Sequence, residues 1–141
     1  MGLVPCRGFE VHDRASVVRS AMGAWKPSIK ASRKDLIEDL KVFLDKHMEG
    51  PTVKVNEKVG RIQPDLLIAE EVIMYVFPKP DQKIKEILKR IEDIQSWKAV
   101  LMLVLVGATS DETLEQIDDL VNRINNDFEF TSHQAIVIVR K

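Results

Sequence analysis

The run Ala99–Val106, AVLMLVLV, contains no polar side chain. Side chains of a strand point alternately to its two faces, so an unbroken apolar run of this kind needs cover on both. Strands buried on both faces belong to α/β sheets, in which helices pack against either side. The run therefore predicts a sheet with helical layers, and the 141 residues suit one domain with a real core.

The rest of the chain supplies the parts. Ser32 is a good helix N-cap, with Asp35 three residues on where a capping box would place an acid. From there Leu36, Ile37, Leu40, Phe43, Leu44 and His47 recur at helical spacing, and Gly50-Pro51 closes the element. Val53 and Val55 alternate with Thr52, Lys54 and Asn56, which predicts a strand over 52–56 with one covered face. Leu66–Ile68 and Val72–Phe77 read as a hairpin around Glu70-Glu71. The β-branched and aromatic content of 72–77 favours strand there over a helix through Ala69-Glu70-Glu71, which stays an alternative. Pro78–Asp81 launches a helix whose buried stripe is Ile84, Ile87, Leu88, Ile91 and Ile94. After the apolar run, Gly107–Ser110 leads into a helix with Leu114, Ile117, Leu120, Val121 and Ile124 on its core face, and Ala135–Val139 is the last strand. The predicted order is α-β-β-β-α-β-α-β, with residues 32–141 forming a single α/β domain.

Residues 1–31 read as an N-terminal arm. A short helix over 13–25 would place Val17, Val18, Ala21, Met22 and Trp25 on one side, and Pro27 ends it. Trp25 would anchor the arm on the body or on a second subunit; a loosely docked arm is the alternative. Net charge is −1, so no global basic field points to nucleic acid. The charge is uneven, with +5 over residues 1–34 and −6 over the remainder. Cys6 is the only cysteine, which rules out an intrachain disulfide and fits a reducing compartment. No apolar run reaches the roughly 20 residues of a membrane span, and residues 1–7 lack a signal core. These features point to a cytoplasmic protein.

The stretch Glu57–Lys79, EKVGRIQPDLLIAEEVIMYVFPK, carries the functional signal. Pro64-Asp65 opens one strand of its hairpin, with Gly60-Arg61 just upstream. The stretch resembles the central hairpin of the PD-(D/E)XK nuclease superfamily, the restriction-endonuclease-like fold, and the element order over about 33–140 resembles that core too. The resemblance implies a three-layer core, a mixed β-sheet flanked by helices. It also implies divalent-metal chemistry, in which carboxylates hold Mg²⁺ or Mn²⁺ and a lysine steadies the attacking water. In that family an acid and a lysine two residues apart stand on the strand after the one that the Asp opens. Here the matching positions are Tyr75-Val76-Phe77, so the second carboxylate is missing. The first helix often lends an acid to the metal; here Glu38 and Asp45 point away from the apolar face and Asp35 and Asp39 flank it.

The first functional expectation is therefore a nuclease-like domain lacking the standard catalytic motif, binding nucleic acid or protein. Lys83, Lys85, Lys89 and Arg90 form the best basic patch of the body. The alternative is an active nuclease with a rearranged site, in which Asp65 and Glu57 hold Mg²⁺ or Mn²⁺ and Lys79 has migrated to the strand end. A third reading is a small-ligand module at Gly107–Ser110, since open α/β sheets bind ligands where a strand gives way to a helix. Asp111 and Glu112 oppose a phosphate there, and neither GxxxxGK[ST] nor GxGxxG is present. His12, His47 and His133 fall in separate elements, which gives classical hydrolase chemistry little support. Edge strands and Trp25 also offer surfaces for a homodimer.

Overall fold

A computed structural model describes residues 17–28, 30–47, 53–58, 62–68, 72–93, 100–127 and 135–140. Helix α1 spans Arg33–His47, and strands β1 (Val53–Val55), β2 (Leu66–Ile68) and β3 (Val72–Pro78) follow. A 3₁₀ turn, Pro80–Lys83, leads into α2 (Ile84–Asp93). Then come β4 (Val100–Val106), α3 (Asp111–Asp127) and β5 (Ala135–Arg140). This is the order read from the sequence.

The strands form one mixed sheet in the order β1-β2-β3-β4-β5. The pairs β1–β2 and β2–β3 are antiparallel, and β3–β4 and β4–β5 are parallel. The apolar run thus becomes a strand with a parallel neighbour on each side, and all seven of its residues are buried. Its two faces feed two separate cores. Val100, Met102, Val104 and Val106 join Leu66, Ile68, Val72, Met74 and Val76 beneath Leu36, Ile37, Leu40 and Leu44 of α1. Leu101, Leu103 and Leu105 join Leu67, Ile73, Tyr75 and Phe77 against Ile87 and Ile91 of α2 and Ile117, Val121 and Ile124 of α3. The alternation of a pleated strand has sorted one run into a three-layer α/β/α body.

Residues 17–22 are helical. Val18, Met22 and Trp25 are buried in the same core as α1, and Trp25 Nε1 donates to Asp39 Oδ2 at 2.9 Å. Val17, grouped with them at the sequence level, is half exposed. Residues 1–16, with Cys6 and His12, lie outside the described residues, as do Gly60-Arg61, Glu70-Glu71, Ile94 and His133.

The element ends follow their local chemistry. Ser32 caps α1 through Oγ, which accepts the Asp35 N–H at 3.2 Å. His47, at the far end, is exposed, stacked on Phe43 and bonded at Nδ1 to the Phe43 carbonyl, so it is an edge residue. β1 stops at Val55 because Asn56 turns to φ 55°, where asparagine is tolerated. Gly107, at φ 99°, lets the chain leave β4 for α3 in a conformation that only glycine adopts freely. Among the described residues, no helix is long and apolar enough to cross a membrane.

Candidate functional site: a carboxylate beside two guanidiniums

β2 is three residues long and β3 is seven, and their ladder ends at the pair Leu66–Met74. Beyond it the Val76 N–H needs another acceptor, because a buried amide without one costs about 1–3 kcal/mol. Asp65 supplies it. Its Oδ2 accepts the Val76 N–H at 2.8 Å, and its main-chain carbonyl accepts the Asn56 N–H at 3.2 Å. Asp65 thus finishes both edges of β2, and it is only 6% exposed.

A buried carboxylate needs a compensating charge. Arg33, first residue of α1, provides it. Its Nη2 lies 3.1 Å from Oδ1 and 2.9 Å from Oδ2. The guanidinium carbon sits 5.2 Å from the centre of the Phe77 ring, within reach of its negative face. Arg33 Nη1 is 3.6 Å from Glu86 Oε1 on α2. Arg33 therefore runs from one helical layer, past the start of β2, to the other.

A second guanidinium stands beside it. Arg90 of α2 lies over Tyr75, 5.1 Å from the ring centre, and its Nη2 is 3.8 Å from the same Glu86 oxygen. The two aromatics, two residues apart on one face of β3, are thus floors for two guanidiniums that share a carboxylate. Nε of both arginines is buried without an acceptor. The Tyr75 phenol is pushed above its ordinary range, first by burial and then by the charges of Asp65 and Asp93, against the opposing pull of Arg90 and Arg33.

The residues picked out in the sequence are divided by this arrangement. Asp65 and the Tyr75/Phe77 pair come together, joined by Arg33, Glu86 and Arg90. Glu57 is exposed after the end of β1, and Lys79 is exposed in a left-handed turn after β3, its N–H bonded to the Val106 carbonyl. No ion pair or hydrogen bond among the described residues joins either side chain to Asp65. Lys83, Lys85 and Lys89 are exposed on or beside α2, whereas Arg90 is committed to Tyr75 and Glu86. Glu38, read as pointing away from the core, is exposed but lines an open cleft of about 390 Å³ with Arg33, Lys34, Ile37, Val55, Asn56 and Asp65.

Both oxygens of Asp65 are engaged, and among the described residues no three His, Cys, Asp or Glu side chains gather as metal ligands. A hard divalent cation needs about six oxygen ligands. The described residues, as arranged, do not fit Mg²⁺ or Mn²⁺.

At the other candidate place, the start of α3, Asp81 arrives from the 3₁₀ turn. Its Oδ1 accepts the Ser110 N–H at 3.0 Å and lies 3.0 Å from Ser110 Oγ. Ser110 Oγ in turn accepts the Thr113 N–H at 3.2 Å. The position an anion would take is filled by a carboxylate of the chain itself.

Sequence reasoning found Asp65 and the two aromatics but not Arg33, which it counted only as one charge of a basic arm. A signal was present. A helix N-terminus carries partial positive charge, so an arginine in the first turn calls for a carboxylate partner from elsewhere.

Comparison with protein-family models, curated proteins and solved structures finds no match to this chain.

Proposed function

We propose that the chain is a degenerate nuclease-like domain of the PD-(D/E)XK kind, without the standard catalytic motif, that works as a recognition module for nucleic acid or protein. The observation that carries this reading is the pair of rings at Tyr75 and Phe77. They stand where such a hairpin would hold an acid and a lysine, and each lies under a guanidinium. Support comes from the antiparallel meander β1–β2–β3, followed by a helix crossover into the buried parallel strand β4, with Pro64-Asp65 at the mouth of the hairpin. The exposed Lys83, Lys85 and Lys89 are the surface offered to phosphates.

The test is to incubate the protein and an Asp65→Ala variant with single- and double-stranded DNA and RNA in Mg²⁺ and in Mn²⁺, scoring cleavage and binding together. The expected result is no cleavage by either protein. Binding that weakens when the three lysines become alanine, with the log–log salt slope falling by about 2–3, identifies nucleic acid as the partner. Absence of binding turns the reading to a protein partner. Cleavage by the parent and not by the variant overturns it in favour of the rearranged site of Asp65, Glu57 and Lys79.

A further inference from the structure

We propose that the Asp65 carboxylate is a seat for a planar guanidinium, filled by the chain's own Arg33, and that it takes guanidinium in preference to a divalent cation. The proposal concerns the seat itself and stands whether or not the domain is nuclease-like.

The walls suit an organic cation better than a divalent metal. The floor is the Phe77 ring, 5.2 Å from the guanidinium carbon. A ring face attracts a delocalised, weakly hydrated cation but offers no lone pair to a metal that must exchange its water for oxygen. The inner wall is Asp65, whose two oxygens lie 3.1 and 2.9 Å from a single nitrogen, Nη2. Oδ2 is fixed in place by the Val76 N–H at 2.8 Å, which leaves the carboxylate little freedom to turn toward a metal. The outer wall is Glu86, 3.6 Å from Nη1, which gives the far side of the guanidinium a loose charge balance. The Arg33 side chain is 35% exposed and borders the cleft lined by Lys34, Glu38 and Val55, so a seat emptied of its arginine is reachable from solvent.

An arginine shortened at this position should therefore leave a site for the free ion. The experiment uses the whole chain carrying Arg33→Ala, and Arg33→Ser as a second short variant that leaves the seat open should the alanine protein not fold. Thermal unfolding is followed while guanidinium chloride is added at low millimolar levels, far below denaturing concentrations, with ammonium chloride, MgCl₂ and MnCl₂ in parallel. The expected result is a melting temperature several degrees below the parent's that guanidinium raises again along a saturating curve. Mg²⁺ and Mn²⁺ should not raise it, ammonium should raise it less than guanidinium because it lacks the flat, weakly hydrated face, and Arg33→Ala combined with Asp65→Asn should lose the guanidinium response. A saturable rise with Mg²⁺ or Mn²⁺ that depends on Asp65 overturns the proposal and makes the seat a metal site. So does a folded Arg33 variant that guanidinium leaves unchanged.

Discussion

At the scale of single residues, Asp65 matters for what it finishes. Replacing it with alanine strands the Val76 N–H at the end of the β2–β3 ladder and leaves Arg33 facing Phe77 and Glu86 without its main partner. Because Arg33 is about a third exposed, water screens part of that loss. Asp65→Ala should therefore cost about 1–3 kcal/mol, read as a lower urea midpoint with an unchanged slope. The sequence named Asp65 through the dipeptide Pro64-Asp65. It could not name its partner, because Arg33 precedes it by 32 positions and the contact exists only once α1 has packed on the sheet. Tyr75 and Phe77 were visible as aromatics in place of charged groups. Their role as floors for cations depends on α2 as well.

At the scale of elements, local signals were legible wherever the chain's own chemistry decides. Ser32 starts α1 by bonding the Asp35 N–H, and the alternation of Val100–Val106 divides the core. The edges were less so. The helix expected from Pro78–Asp81 begins as a 3₁₀ turn after Lys79, at φ 53° and ψ 62°. The cap of α3 is shared between Ser110 and Asp81, 29 positions away in sequence, a pairing no local window contains. The Ser110 N–H first, then the hydroxyls of Thr113 and Ser110, hold the Asp81 carboxyl below its ordinary value. A carboxyl lowered on folding adds stability above its unfolded value, and that stability is lost as the pH falls through the folded one. Asp81→Ala should therefore melt below the parent at neutral pH. The gap should narrow as the solution is acidified past the ordinary aspartate range, followed by circular dichroism. The effect is small, since Asp81 is exposed.

At the scale of the whole molecule, three layers depend on both halves of the chain. The basic arm was read with two outcomes in view, and its described part is anchored in the core by three side chains. Val18 and Met22 are fully buried and Trp25 is 2% exposed, in one cluster with α1 and four residues of β4. Trp25→Ala should cost about 3–5 kcal/mol, because the cavity opens inside packed apolar surface and the bond to Asp39 goes with the ring. Equilibrium denaturation measures that loss, and limited proteolysis should show new cuts within residues 17–28. A loss under 1 kcal/mol would mean the segment only rests on the surface. The fold class was legible from one apolar run. The layer above β4 was not, because residues 13–25 carry a helical stripe too short to say what it covers.

The place of β4 between two parallel neighbours also has a consequence during synthesis. Parallel strands cannot be joined by a tight turn, so a whole helix must be made before the next strand arrives. As the chain leaves the ribosome, β3 is already waiting to pair with β4, but the other edge stays bare until α3 and β5 have followed. At about 5–20 residues per second that interval lasts a few seconds, during which seven apolar residues offer an open edge to the same strand on a neighbouring nascent chain. The helix made in that interval is α3, and the edge closes only when β5 pairs along Leu101–Val106.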